Sequence, residues 1–456
     1  MLTHEFMPAG ELTAQLDEDT ARLCSEDPVL FQLLRDDVER QRDSLMFVAS
    51  CSPVHPAVLA CAASRTVNIT VEGYPGHRYH AGCSILDEIE QLAIARAKAL
   101  FSARFVNVQC HSASTANAVA FFSLLQPGDT VVGMDLAAGG HLSHGAKVSF
   151  SGRFFRSVGY EVSPDGWIDY DAVSRLVLEA RPRLIVCGAT AYPRAIDFAR
   201  FRAIADEVGA WLLADVTHVA GLIAAGLYPS SIDEAHVTTS CTHKQLFGQR
   251  GALVMSGRDH EAPVPPKQTP LHAALQAGVF PLLQGSISMN LIAAKACTLA
   301  LAMRSSFAAT ARRIVDDARA IAEGLQSLGY NVVSGGTDTH IVLVDLRSKG
   351  LSGAVAEKAL EECGILLNRN KVPGDPKGAS VAGGIRIGTN TVAAREMGPP
   401  EMRLCVELID RVLKALDPNQ TLPPFVPPAV QRSTRERVVE LCRRCPVPYY
   451  GPTAHV

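Results

Sequence analysis

Trp211-Leu-Leu-Ala-Asp215 and, further along, Val237-Thr-Thr-Ser-Cys-Thr-His243-Lys244 hold the reading of this chain. The first is an apolar run closed by a carboxylate. The second is a strand-like run, rich in β-branched residues, that leads into a lysine. Runs of the same kind recur at Thr130-Val-Val-Gly-Met, Leu184-Ile-Val-Cys-Gly and Ala252-Leu-Val-Met, with amphipathic helical segments between them. Short apolar strands separated by helices imply a mostly parallel sheet covered on both faces, an α/β fold.

The two closing residues carry chemistry. A lysine placed just past a buried strand is held out of water, where its ammonium form is disfavoured, and a desolvated amine can form a Schiff base with an aldehyde. A strand-end aspartate can hold a positive charge such as a protonated pyridine nitrogen. Together Lys244 and Asp215 point to pyridoxal phosphate. A surface lysine beside an unrelated carboxylate would look the same locally, so the remaining sequence has to decide.

At 456 residues the chain is too long for one small core. Hydrophobic residues make up 47%, and the net charge of −3 favours neither nucleic acid nor an anionic membrane. Met1-Leu-Thr-His-Glu-Phe lacks the basic and apolar regions of a signal peptide, and Leu291 to Met303 is short and carries Lys295. A cytoplasmic protein is expected. The 12 cysteines follow no framework, and Cys442-Arg-Arg-Cys445, a CxxC without a second pair, gives no reason to expect a metal.

Three parts are expected: a helical arm over 1–45, broken at Asp27-Pro28; a large domain over 46–315; and a smaller α/β domain over 316–456. In the last, a helix from about Ala309 to Leu328 leads to strands at Asn331-Val-Val-Ser and His340-Ile-Val-Leu-Val-Asp. Pro418 to Pro428 reads as a linker before a final helix, Arg435 to Arg444.

A phosphate needs a seat. Ser112-Ala113-Ser114 opens a good helical segment, and small hydroxyl residues there present free N–H groups and the positive end of the helix dipole to an anion. The same residues also make an ordinary N-cap. In Gly139-Gly140-His141, the histidine could stack on a pyridine ring or simply sit in a loop.

Further blocks join these: Glu72-Gly-Tyr-Pro-Gly-His-Arg-Tyr79, Asn107-Val-Gln-Cys-His-Ser-Ala-Ser114, Leu125-Gln-Pro-Gly-Asp-Thr-Val-Val-Gly-Met, Asp215-Val-Thr-His-Val-Ala-Gly-Leu, Thr242-His-Lys244 with Arg250-Gly, and Gly384-Ile-Arg-Ile-Gly-Thr389. In them the chain, from about residue 45 on, resembles the serine hydroxymethyltransferases, fold-type I pyridoxal-phosphate enzymes. The resemblance implies a transferase of one-carbon and amino-acid metabolism, with tetrahydrofolate as co-substrate. Lys244 would carry the cofactor, Asp215 would pair with its ring nitrogen, and His141 would cover the ring. His218 and Thr190 would lie near its phenolic oxygen. Ser112, Ala113, Ser114 and His243 would hold the phosphate, with Gly285 and Ser286 reaching it from a partner subunit. Arg386 would grip the substrate carboxylate, a task for which its planar fork is suited, with Ser50 beside it. Glu72 would be the acid/base group. Glu72, Tyr79, Leu136, Gly140, Leu142 and Asn370 would line the folate site. A site drawn from two chains implies a homodimer, or a pair of dimers.

Departures from the family pattern bear on the substrate. Thr70 and His80 stand where the family has tyrosines, Ser50-Cys51-Ser52 replaces a serine-glutamate-asparagine block, Cys241 replaces a threonine, and Leu282-Leu283 replaces a glycine pair. Threonine in place of a phenol beside the α-carbon leaves room for an additional carbon group. This favours α-methylserine and D-alanine, with serine and glycine close behind. The rival readings are an ordinary serine enzyme in which His80 takes over a tyrosine's polar role, a folate-independent aldolase or transaldolase, and a catalytically dead scaffold. The folate-site residues speak against the aldolase, and the presence of Lys244 and Asp215 against the scaffold.

Overall fold

The structure, a computed structural model, describes residues 19–450, so Met1-Leu-Thr-His-Glu-Phe and the beginning of the expected arm lie outside the described residues. The centre is a seven-stranded sheet of β1 (Phe105–Asn107), β2 (Thr130–Met134), β3 (Arg156–Tyr160), β4 (Leu184–Gly188), β5 (Trp211–Asp215), β6 (Val237–Cys241) and β7 (Ala252–Ser256). The spatial order is β1-β7-β6-β5-β4-β2-β3. β3, β2, β4, β5 and β6 pair in parallel, and β7 alone runs against both of its neighbours. Every residue of β4, β6 and β7 is buried, which is why their sequences show no polar alternation.

One consequence of this topology positions the site. The C-terminal ends of the parallel strands, and of β1, open on one edge of the sheet. Ser112, Leu136, Thr190, Asp215 and Lys244 follow or close β1, β2, β4, β5 and β6 there. Ligands of open α/β sheets bind at such an edge, where loops of successive strands diverge.

Helices α1 (Pro28–Arg42), α2 (Ser84–Phe101), α3 (Ala113–Leu124), α4 (Met289–Ala302) and α5 (Ser305–Ser327) precede or surround this sheet. α3 is apolar all round, as befits a helix buried between the sheet and its neighbours. Asp27 ends the preceding helical stretch and caps α1, its carboxylate accepting from Leu30 N at 2.9 Å with Pro28 in the first turn. Among the described residues no single helix is long and apolar enough to cross a membrane. α4 and α5 reach that test only together, across a 79° bend, and much of each is core.

A second sheet, antiparallel, consists of β8 (Asn331–Val332), β9 (Ile341–Asp345), β10 (Asn368–Asn370) and β11 (Gly384–Gly388) in the order β8-β9-β11-β10. Its core is shared with α5, α6 (Gly353–Glu362), α7 (Pro399–Lys414) and α8 (Pro428–Arg444). The chain enters this second core before it builds the first. Leu45–Met46 pairs in parallel with Ile365–Leu366, and Leu45 and Phe47 are fully buried there.

Three boundaries differ from the sequence expectation. α5 starts at Ser305 rather than near Ala309. The strand at Asn331 stops after Val332, because the chain turns through Ser334 at φ 58°. The final helix begins at Pro428, inside the expected linker, since proline is at home in a first turn. The CxxC acts through its backbone: the carbonyls of Cys442 and Cys445 accept from Arg395 Nη1, while Nη2 holds those of Gln41, Arg42 and Ser44.

Asp317 on α5 is buried with both carboxylate oxygens unpartnered, and burial pushes its carboxyl up to about 8. A carboxyl raised on folding costs nothing below its ordinary value near 4 and destabilises the fold increasingly as pH rises from there to about 8. Asp317→Asn should therefore gain stability relative to wild type, by roughly 2–4 kcal/mol at pH 8.5 and little at pH 4. Thermal melts at the two pH values check this; an equal difference at both would remove the titration from the account.

Candidate active site

Asp215 closes β5 in the core, 8% exposed. Its carboxylate accepts from His144 Nε2 at 2.9 Å, Asn117 Nδ2 at 2.8 Å and Thr217 N at 3.1 Å. Two neighbours determine the donors. His144 Nδ1 accepts the N–H of His141 at 3.2 Å, so the ring proton sits on Nε2 and points at Asp215. Asn117 Oδ1 accepts from Thr239 Oγ1 at 2.6 Å, which turns its amide NH₂ to the carboxylate. Burial alone would raise the Asp215 carboxyl, but the hydrogen bond and field of His144, with Thr217 and Asn117, hold it far below the usual range. The result is a fixed buried negative charge. His141, His144 and Asp215 bring three possible metal ligands within 4.8 Å. The atoms of His144 and Asp215 are already committed to one another.

Lys244 follows β6 and is partly buried, its Nζ 2.9 Å from His218 Nε2. Burial lowers its ammonium pKa; Cys241 and Asp215 oppose the shift, and Arg386 and Arg250 add to it. His218 is buried and kept neutral, first by burial and then by Lys244. Its Nδ1 faces His340 Nε2 at 3.4 Å, with the two rings nearly parallel at 17°. A lysine whose ammonium form is disfavoured by burial and whose amine is oriented by a hydrogen bond is a poised nucleophile.

The expected phosphate seat is built by α3. Ser112 caps the helix, its Oγ accepting from Thr115 N at 3.2 Å, and Ala113 and Ser114 form the first turn. Beside it, burial lowers His243 to about 4, so the ring is neutral. Its Nε2 faces Arg250 Nη1, a donor, at 3.2 Å, which leaves the proton on Nδ1. That Nδ1 is buried without a protein partner. An orphaned donor, a lysine whose ammonium form is disfavoured by burial and a buried carboxylate fit an aldehyde-bearing pyridine with a phosphate arm. Pyridoxal phosphate fits the residues present.

His141 is half-buried, its Nδ1 accepting from Ser143 N at 3.2 Å, and burial lowers it to about 4, so it can offer a neutral ring face. Thr190 Oγ1 donates to the carbonyls of Gly139 and Gly140 at 3.1 and 3.0 Å, spending its proton on the backbone. Its own carbonyl accepts from Arg386 Nη1 at 2.6 Å. Arg386, on β11, also donates Nε to Asn368 Oδ1 at 3.0 Å, and burial brings it down to about 10, still charged at neutral pH. Among the described residues its Nη2 donates to no protein atom, which leaves one edge of the fork for a carboxylate. Ser50, Cys51 and Ser52 line a cavity of about 320 Å³ with His243 and Arg250.

The remaining expected residues form a separate group. Ser286 Oγ contacts both Val71 N and Val71 O at 3.2 Å, so the Gly285-Ser286 loop lies against the segment carrying Glu72. Glu72 Oε2 is 3.6 Å from His80 Nε2. Thr70, His80, Gly285 and Ser286 are exposed, as are Leu282 and Leu283, and Tyr79 is 74% exposed. Among the described residues no hydrogen bond or ion pair joins these side chains to Lys244, Asp215 or Arg386.

The expected folate positions divide in the same way. Leu136 and Leu142 are 47% and 46% exposed on two short turns of helix, and Gly140 sits so close to Met134 O that no other residue fits. Asn370, whose Nδ2 donates to Lys371 O, belongs to the same side, where Ala137, Ala138 and Lys371 line a cavity of about 200 Å³. Tyr79 instead lies with the Glu72 group, its ring 5.6 Å from Phe280.

Sequence reasoning missed Asn117, His144, Thr239, His340 and Asn368. His144 lies three residues past the Gly139-Gly140-His141 run, but nothing local ties it to a carboxylate 71 residues away. Asn117, Thr239 and Asn368 lie in helix or strand, and His340 just before β9, with no chemical signature.

The serine hydroxymethyltransferase family model matches residues 23–409. A serine hydroxymethyltransferase of Rhodospirillum centenum (strain ATCC 51521 / SW) is 46% identical over 433 residues, covering 94% of this chain and 97% of that protein. Taken with the poised lysine and the buried carboxylate at one sheet edge, these matches mean that the chain belongs to the serine hydroxymethyltransferase family of fold-type I pyridoxal-phosphate enzymes.

Proposed function

We propose that this pyridoxal-phosphate-dependent hydroxymethyltransferase, with tetrahydrofolate as co-substrate, favours α-methylserine and D-alanine over serine and glycine. The observation that carries the substrate reading is Thr70. It is a small residue on the exposed segment that bears Glu72, where the family has a tyrosine. A phenol there would occupy the space that a second α-substituent needs.

When bound, pyridoxal phosphate supplies a conjugated ring that stores the electron pair freed at the α-carbon. The rest is done by this chain. Lys244 would hold the cofactor through its aldehyde, with His218 Nε2 orienting the amine by a hydrogen bond. Asp215 keeps a negative charge at the ring nitrogen's position. Arg386 takes the substrate carboxylate on its free edge, with Thr190 O and Asn368 fixing the guanidinium plane. Glu72, paired with His80, takes the β-hydroxyl proton as the Cα–Cβ bond opens. Leu136, Leu142, Gly140, Asn370 and Tyr79 seat the folate that receives the one-carbon unit.

Because the Glu72 group is exposed and separate from the Lys244 group, the complete site is drawn from two copies. The working enzyme is then a homodimer or a pair of dimers, with an arm over 1–45, a large domain over 46–315 and a small one over 316–456. A cytoplasmic location completes the reading.

The test is turnover of L-serine and α-methyl-L-serine side by side with tetrahydrofolate, scoring glycine and D-alanine. Faster D-alanine release is expected. Faster glycine release would make this an ordinary serine enzyme, and turnover independent of tetrahydrofolate would make it an aldolase. Thr70→Tyr should move the preference toward serine by about 10- to 200-fold, the range a methyl-sized contact can supply. Unchanged selectivity would remove Thr70 from the argument.

A further inference from the structure

Lys295 on α4 is a fully buried ammonium without a carboxylate partner, 2% exposed. Its Nζ donates to three main-chain carbonyls: Val108 O, Cys110 O at 2.9 Å and Ala252 O at 3.2 Å. A buried cation held only by dipoles is costly, so its position asks for a reason.

The carbonyls it holds are joints of the cofactor site. Cys110 O also accepts Ala252 N at 2.9 Å, and the next peptide N–H, of His111, donates to Gln284 Oε1 at 3.1 Å. On the other side, the peptide between Gly251 and Ala252 accepts at Gly251 O from Thr242 N at 3.0 Å. One aligned series of dipoles thus runs from the turn before Lys244, through Cys110–His111, to the loop of Gly285. It passes two residues before Ser112. Lys295 sits on the central carbonyl of that series and polarises it, and such chains strengthen cooperatively. Gly251 is as tightly set: any side chain there would overlap Lys295 Cε.

We propose that Lys295 is a positioning residue for the phosphate end of the site, holding the Ser112–Ser114 seat in register with the Lys244 turn and adding a buried positive charge behind it. The proposal rests on the reading of Ser112–Ser114 as the phosphate seat. Burial lowers Lys295 to about 8, with Cys110 and Glu90 opposing, so its charge is lost just above neutrality. The titratable groups that face it are Cys110, His111 and Glu90. Burial raises Cys110 to about 12, and burial, then Lys295, lowers His111. Glu90 is held by Arg78 and Gln109.

The experiment compares binding of pyridoxal phosphate and of pyridoxal, which lacks the phosphate, to the full-length protein freed of cofactor. Lys244 meets the same aldehyde in both, so its own titration cancels in the ratio of the two affinities. Lys295→Met should weaken pyridoxal phosphate by about tenfold or more and pyridoxal by less than about twofold. Equal weakening of both, or of neither, would overturn the proposal. In the wild-type protein the ratio should fall several-fold from pH 7 to pH 9, and a constant ratio would overturn it even if the variant does not fold. A wild-type protein that binds both ligands equally at pH 7 would instead remove the phosphate seat itself, and the proposal with it.

Discussion

Lys244→Ala is expected to lower turnover by roughly a thousandfold or more, as loss of a covalent catalytic group does, while leaving the fold intact. The physical reasons are local. The side chain is partly buried, its ammonium form is disfavoured by burial, and His218 Nε2 lies 2.9 Å away as hydrogen-bond partner. Alanine removes the amine and keeps the backbone turn, which is held independently by Thr242 N to Gly251 O and Thr242 Oγ1 to Gln249 O. The purified variant should also lose the visible absorbance that a lysine-bound cofactor gives. Full activity would sink the cofactor assignment. Lost activity with an unfolded chain, judged by circular dichroism, would mean that the turn depends on the lysine.

Asp215→Asn should cost about two to three orders of magnitude in kcat, the effect of removing one fixed electrostatic stabiliser from a buried site. The amide has the carboxylate's shape but not its charge. Its NH₂ group would meet a donor either way, His144 Nε2–H and the Asn117 NH₂ at the Oδ2 position or Thr217 N–H at the Oδ1 position, so at least one hydrogen bond must break. The charge requirement and the pairing requirement can be separated. His144→Gln retains a donor toward Asp215 and should lose far less activity than Asp215→Asn. Comparable losses in the two variants would mean that orientation, rather than charge, is what Asp215 supplies.

The extent to which the sequence foretold this site varies with the kind of interaction. Runs such as Leu184-Ile-Val-Cys-Gly announced buried strands because a strand covered on both faces has no polar positions to interrupt it. The lysine and aspartate stood out at the ends of such runs, but a surface lysine beside an unrelated carboxylate would look the same locally, and only the further blocks singled them out. Helix ends were less legible. Pro428 looked like part of a linker, yet it opens α8, because proline suits a first turn as well as it suits a loop. The strand at Asn331 ended early because Ser334 adopts a left-handed turn that nothing in its side chain announces.

By itself, the sequence determined the α/β class and, through its resemblance to the serine hydroxymethyltransferases, the family; it singled out Lys244 and Asp215 as a pair, while Arg386 and Glu72 enter only through that resemblance. The class follows from periodicity and local composition, which are properties of neighbouring residues, whereas the family rests on the ordered blocks and the resemblance they carry. Only the tertiary structure decided that His144 and Asn117 hold Asp215 charged, that His218 is backed by His340, and that Asn368 orients Arg386. It also separated the Glu72 group from the Lys244 group. Each of these is a contact between residues distant in the chain, set by which strands lie side by side and where their ends meet. A buried polar group must find its partner somewhere, but the sequence does not say where; strand order and register do.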